Sequence, residues 1–295
     1  MGIKRSAEVL FFGMQLLVSI GCGSDPAPFK PSIPNDALMV NYGRELVHGI
    51  AACGICHGET VEPGASLSGG RTQADRFGGV AAANLTTSPN GIGGWSVDQI
   101  MNGLRGAVRP DGNGISKDLH GAYEWMSDQD AIAIALYLKS TPPVDSEVPR
   151  RELDFWERNT VGLFQRSGDN IEGHVPSVDR AASLAFGRYL TDHVAACGTC
   201  HNGESSALEE AEHLGGGKTV VMGTLEKVAP EISGSKKFGI GNWSEEQLMH
   251  YLRNGETPDG RQADSRFCPV GFYAEADDEY LRAIAAYLLS VQSPG

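Results

Sequence analysis

Basic residues are scarce. Lys and Arg number 24 against 37 Asp and Glu, a net charge of −13 at pH 7. A nucleic-acid binder presents a face rich in Lys and Arg, so no nucleic-acid partner is expected. The acidity suits steering toward a basic protein partner as well as plain solubility. Aromatics are few, 7% of the chain, while glycines number 38. Such a chain has little apolar mass of its own for a core, and a large flat cofactor would supply it. No run beyond the first 22 residues is long and apolar enough to cross a bilayer. No stretch shows sustained period-two alternation, so strands should be few and the fold class all-α. No glycine-rich phosphate loop follows a strand, which argues against nucleotide binding.

The first 21 residues read as an export signal. Lys4 and Arg5 give a positive start, and Val9 to Ile20 is an apolar run too short to span a membrane comfortably. It ends at Ser19-Ile20-Gly21-Cys22, which resembles a bacterial lipoprotein signal whose cysteine is lipidated and becomes the new N-terminus. Ser19 stands where a Leu is usual, and ordinary cleavage nearby is the rival. The reading places the mature protein in the periplasm, tethered to a bacterial membrane through lipidated Cys22. Residues 22–35, Pro-rich from Asp25 to Pro34, read as an extended linker.

Beyond this linker the chain is duplicated. Tyr42-Gly43-Arg44-Glu45-Leu46 leads to Ala51-Ala52-Cys53-Gly54-Ile55-Cys56-His57, and Phe186-Gly187-Arg188-Tyr189-Leu190 leads to Ala195-Ala196-Cys197-Gly198-Thr199-Cys200-His201, at the same spacing. Gly91-Ile92-Gly93-Gly94-Trp95-Ser96 returns as Gly239-Ile240-Gly241-Asn242-Trp243-Ser244. Leu104-Arg105 with Pro110-Asp111-Gly112 returns as Leu252-Arg253 with Pro258-Asp259-Gly260, and 130–138 returns as 280–288. These repeats predict two domains, 36–144 and 179–295, joined by a connector at 145–178. The connector carries an apolar cluster from Phe155 to Phe164 that could pack across both domains.

Helical signals recur in both copies. Ala37 to Ala52 has apolar residues at helical spacing. Ser96 and Ser244 each precede a helical segment with a Gln three residues on, a capping-box pattern. Ser127 opens the last helix of the first copy in a similar way. Gly-rich loops connect the helices.

Cys-x-x-Cys-His is the attachment signal of c-type haem. Two thiols three residues apart fall on one side of a helical turn, where both can add to the haem vinyl groups. The following His then lies under the iron as an axial ligand. With 6 Cys and 8 His in the chain, one chance match has a probability of roughly 0.003. Two matches at corresponding places in a repeat are far rarer. A redox disulfide requires no adjacent His, and a zinc site would need further Cys or His at close spacing. Two haem c groups, held by Cys53, Cys56 and His57 and by Cys197, Cys200 and His201, are therefore expected.

Both copies resemble class I cytochrome c domains, and the pair resembles the periplasmic dihaem cytochromes c. The resemblance covers nearly all of 36–144 and 179–292. It implies an N-terminal helix before each motif, a loop like Asn84-Leu85-Thr86, a middle helix ending in Arg, and a last helix packed across the first. It also implies transfer of electrons between a redox donor and an acceptor protein.

The family's second axial ligand is usually a Met in a Met-Pro-x-Tyr loop ahead of the last helix. Aligning the copies pairs His120-Gly121-Ala122-Tyr123 with Val270-Gly271-Phe272-Tyr273. His120 is thus the candidate distal ligand of the first haem, with Met126 or Met101 as rivals. Val270 cannot ligate iron. Cys268, the one cysteine left once four hold haem and Cys22 is lipidated or removed, is the candidate for the second. Met222, Met249 or an open iron position are its rivals. Arg105 and Arg253 are candidate partners of the haem propionates, or ordinary exposed charges. Trp95 and Trp243 should pack against haem or core. His48, His174, His193 and His213 read as surface residues. No converging acid and base groups mark the second haem, so an electron carrier is preferred. The alternatives are a haem enzyme acting on a small sulfur compound or peroxide, and a cytochrome subunit of a dehydrogenase complex.

Overall fold

Each repeat is built on a crossing of two helices. In the first, α1 (Asp36–His48) lies across α5 (Asp128–Ser140). Between them stand the short α2 (Gly54–His57), the hairpin β1 (Thr72–Asp75) and β2 (Gly78–Ala81), α3 (Val97–Arg105) and α4 (Lys117–His120). The second repeat shares the same plan with α6 (Ser183–Tyr189), α7 (Gly198–His201), β3 (Thr219–Met222), β4 (Leu225–Val228), α8 (Glu245–Asn254), α9 (Val270–Tyr273) and α10 (Asp278–Ser290). The computed structural model describes residues 36–157, 159, 173–203 and 211–292. The export signal, Cys22 and Phe164 lie outside the described residues. The described residues all fall within one compact unit.

The helix crossings depend on glycine. A Cβ placed on Gly43 would stand 1.9 Å from the Ala133 carbonyl oxygen, and one on Gly187 would stand 1.9 Å from that of Ala283. Only a residue without a side chain lets the backbones approach so closely. The buried faces of α5 and α10 are Ala-rich for the same reason, with Ala131, Ala133, Ala135, Ala283 and Ala285 all buried. Both capping boxes are formed. Ser96 accepts from the Gln99 N–H while Gln99 reaches back to the Ser96 N–H, and Ser244 and Gln247 do the same for α8.

The all-α expectation is incorrect. The two hairpins join edge to edge into one four-stranded antiparallel sheet of order β2-β1-β3-β4. Within the hairpins Thr72 pairs Ala81 and Thr219 pairs Val228. Between them Gln73 pairs Met222, and the Gly223 N–H donates to the Thr72 carbonyl at 2.7 Å. The strands escape a periodicity reading because each has only four residues, too few to show alternation. Their pairing also completes itself between the repeats rather than within one. Thr219-Val220-Val221 before Gly223 was the available β-branched signal.

Among the described residues, the sheet is one of three seams between the repeats. At the second, Phe272 of α9 packs on the first Cys-x-x-Cys-His turn, so that a Cβ on Gly54 would lie 2.8 Å from its ring. The turn Gly121–Trp125 packs on Leu190–Val194, where the His193 Nδ1 meets the Ala122 carbonyl at 3.0 Å. At the third, the buried Asp130 carboxylate accepts from Tyr42 of its own repeat at 2.7 Å and from Tyr189 of the other. The start of the connector is fastened to the first repeat. Asn84 Nδ2 donates to the carbonyls of Val144 and Ser146, and Arg151 forms a two-point pair with Asp75 at 2.6 and 2.8 Å. Phe155 and Trp156 remain exposed.

Candidate functional site

The two Cys-x-x-Cys-His segments form equivalent turns. The residue before each first cysteine, Ala52 or Ala196, takes a left-handed φ of 44° or 51°. This reverses the chain after the first helix and turns both thiols inward. A basic side chain then ties down each turn. Arg71 Nε donates to the Ile55 carbonyl at 3.0 Å, and Lys218 Nζ donates to the Thr199 carbonyl at 2.7 Å. Sequence reasoning missed this pair, although Gly69-Gly70-Arg71-Thr72 returns as Gly216-Gly217-Lys218-Thr219 after the second motif. Burial pushes the Cys53, Cys56 and Cys197 thiols up to about 12 and raises Cys200 as well. Apolar surroundings of this kind suit thioether links, which carry no charge.

Each motif histidine is oriented from behind. His57 Nδ1 meets the Ala83 carbonyl at 2.7 Å and His201 Nδ1 meets the Pro230 carbonyl at 2.8 Å. Such a bond fixes the tautomer and leaves Nε2 free to ligate. Burial lowers the pKa of both rings, so both are neutral at pH 7, the metal-binding form.

His120, at the end of α4, faces His57. Their ring centres are 6.1 Å apart and their planes cross at 83°. Two metal–imidazole bonds of about 2.1 Å, with roughly 1.1 Å from each nitrogen to its ring centre, would set the centres about 6.4 Å apart. At this spacing His57 and His120 would together be able to hold one haem iron. Burial, with His57 nearby, pushes His120 down to about 4. The Leu104 carbonyl offsets part of this, but the buried Nδ1 makes no hydrogen bond of ordinary geometry. Met126 is fully buried in the core and Met101 packs against it.

In the second repeat, among the described residues, no imidazole ring faces His201. Cys268, in the loop before α9, lies close enough to Cys197 to add to that thiol's upward shift. Burial raises Cys268 itself to about 11, against a lowering hydrogen bond from Tyr251. Met222 instead lies in β3 and lines a surface cleft with Arg71 and Arg266, and Met249 packs against the core.

The two sites are neighbours. Cys200 lies near enough to Cys56 to raise it further. Half-buried Tyr123 is influenced by all four motif thiols, and buried Tyr273 by Cys197, Cys268, Cys200 and Tyr123. These two tyrosines occupy equivalent positions in the repeats and stand at the junction of the sites.

Other candidates take structural roles. Arg105 pairs with Asp128, which also holds His174 at 2.7 Å. Arg253 bonds the Ala274 and Ala276 carbonyls and pairs with Asp278. Both arginines thus fasten the last helix of their repeat. Trp95 and Trp243 pack against the core. His48 is buried rather than superficial, bonded to the Tyr137 hydroxyl and the Gly64 N–H.

Paired buried thiols, a neutral imidazole beside each pair and an opposed imidazole across one of them define a protein of the covalent-haem class. No family model matches the chain. It is 30% identical over 291 residues to the fructose dehydrogenase cytochrome subunit of Gluconobacter japonicus, covering 94% of this chain and 57% of that protein. It is 28% identical over 258 residues to a dihaem cytochrome c of Cereibacter sphaeroides, covering 84% of each. It is 25% identical over 269 residues to the cytochrome c subunit of a quinone-type alcohol dehydrogenase of Gluconobacter oxydans, covering 87% of this chain and 55% of that protein. The chain spans little more than half the length of these two dehydrogenase subunits. The relatives are thus cytochrome c subunits and a dihaem cytochrome c, and the chain resembles the dihaem c-type cytochromes, with two haem c groups as cofactors. Haem c, when bound, supplies reversible one-electron chemistry at iron.

Proposed function

We propose that this chain carries electrons from a dehydrogenase to a second redox protein at the bacterial periplasmic membrane surface. Two domains, 36–144 and 179–295, each hold one haem in this reading. Cys53 and Cys56, and Cys197 and Cys200, form the thioether links, with His57 and His201 as proximal ligands. His120 closes the first iron and Cys268 the second, and lipidated Cys22 tethers the protein to the membrane. The observation that carries the reading is the closeness of the two sites: Cys200 lies near enough to Cys56 to raise its thiol, and Tyr123 stands near the thiols of both motifs. Such adjacency suits passage of an electron from one site to the next. The names of the dehydrogenase cytochrome subunits support a dehydrogenase as donor.

The test uses the holoprotein with a flavin- or quinone-dependent dehydrogenase module. Sugar or alcohol alone should leave the oxidised spectrum unchanged, and adding the dehydrogenase should reduce both haems. Carbon monoxide and cyanide should bind slowly or not at all. Rapid binding at one haem, with no reduction by any dehydrogenase, would replace the carrier with a haem enzyme.

A further inference from the structure

Tyr251 is set against Cys268. Its hydroxyl lies 3.8 Å from the Cys268 Sγ, within reach of a hydrogen bond to sulfur. The geometry is held from both sides. Tyr251 projects from α8 and is packed edge-on by Trp243 at 5.5 Å and 71°. Cys268 closes a turn in which its N–H donates to the Asp264 carbonyl at 2.9 Å, and Asp264 is itself paired with Arg266 at 2.8 Å.

The duplication provides an internal comparison. Leu252-Arg253 corresponds to Leu104-Arg105, so Tyr251 corresponds to Gly103. There the equivalent tryptophan, Trp95, fills the space, and even a Cβ on Gly103 would lie 3.1 Å from its ring. The repeat with an imidazole at the distal position has no room for a tyrosine. The repeat with a thiol at that position has one pointed at the sulfur.

We propose that Tyr251 is a positioning residue for the second haem, donating its phenolic hydrogen to the Cys268 sulfur and so setting the potential of that iron. The proposal rests on Cys268 being the axial ligand. A hydrogen bond to a ligating sulfur withdraws electron density from it, which destabilises the ferric state more than the ferrous and raises the potential. Among the described residues, the first repeat has Gly103, not a tyrosine, at the position equivalent to Tyr251.

The experiment compares the holoprotein with its Tyr251→Phe and Cys268→Ala variants by low-temperature electron paramagnetic resonance and redox titration. The unaltered protein should show a thiolate-ligated low-spin signal that Cys268→Ala abolishes. Tyr251→Phe should keep that signal and shift the second haem toward its oxidised form by about tenfold at fixed potential, a 59 mV drop in midpoint. The first haem should not move. A thiolate signal with a midpoint unchanged in Tyr251→Phe overturns the role of Tyr251 and leaves Cys268 ligation standing. No thiolate signal in the unaltered protein overturns Cys268 ligation, and the role of Tyr251 with it. Should Tyr251→Phe fail to load haem, the unaltered protein decides alone. Its iron–sulfur stretching frequency should shift in D2O, and an unchanged frequency refutes the hydrogen bond.

Discussion

Replacing Gly43 with alanine should damage the fold at its tightest point. The new Cβ would lie 1.9 Å from the Ala133 carbonyl oxygen, and a second helix atom, Tyr137 Cβ, is 2.9 Å away. Both neighbours belong to α5, and a carbonyl cannot turn aside without breaking its helix. Non-bonded carbon and oxygen need over 3 Å, so α1 and α5 must part by at least about 1 Å. Overpacking of this kind costs about 1–3 kcal/mol. Parting the helices also loosens the contacts of Leu46, Val47, Ile134 and Leu138, all buried at this crossing. Against this stands the helix-propensity gain of alanine over glycine, about 1 kcal/mol. We therefore expect a net loss of about 2 kcal/mol, or a fall in melting temperature of about 4–8 °C for a unit of this size. Urea denaturation monitored by far-ultraviolet circular dichroism measures it, with an unchanged slope confirming a stability effect. Gly187→Ala, at 1.9 Å from the Ala283 carbonyl, should cost the same. Stabilisation by either variant, as at an exposed helical glycine, would refute the close crossing.

Three other substitutions have defined outcomes. Burial works to raise the Asp75 carboxyl, but Arg151, Ser116 and the Phe77 N–H together hold it below the usual carboxylate range. Its stabilising effect is complete above about pH 4 and is lost as pH falls through the lowered folded value. Asp75→Asn should cost about 1.5–3 kcal/mol at neutral pH and flatten the acid limb of the stability profile; an unchanged profile would remove Asp75 from its role. Tyr189→Phe deletes a hydrogen bond to Asp130 across the repeats and one accepted from the Ser127 N–H at 3.0 Å. It should cost about 1–3 kcal/mol in the same denaturation assay. His120→Met should raise the midpoint of the first haem alone, because methionine favours the reduced state more than imidazole does. A shift of the second haem instead would reassign His120.

The helical frame was legible because its signals are local. Ser96 with Gln99 and Ser244 with Gln247 mark helix starts within four residues, and the glycines at 43 and 187 recur at the same place in the repeat. The motif turns were legible because thioether chemistry demands a fixed spacing. The sheet was not, since its four-residue strands pair between segments about 150 residues apart and Gln73 meets Met222 only after the repeats dock. His120 could be reached from sequence by aligning the repeats. Tyr251 could not, because its meaning depends on where Cys268 stands in space. The pairing of Arg105 with Asp128 and of Arg253 with Asp278, which ties each middle helix to the start of the last one, was likewise beyond reach of the alignment, since it depends on how the helices pack.

The opposed imidazoles of the first site are the feature on which ligation of its iron turns, and low-temperature electron paramagnetic resonance of the fully oxidised holoprotein reads them directly. His57 and His120, with planes crossing at 83°, should give the strongly anisotropic low-spin signal of two nearly perpendicular imidazoles, and His120→Ala should abolish it. A histidine–methionine signal at the first haem, untouched by His120→Ala, would contradict that ligation.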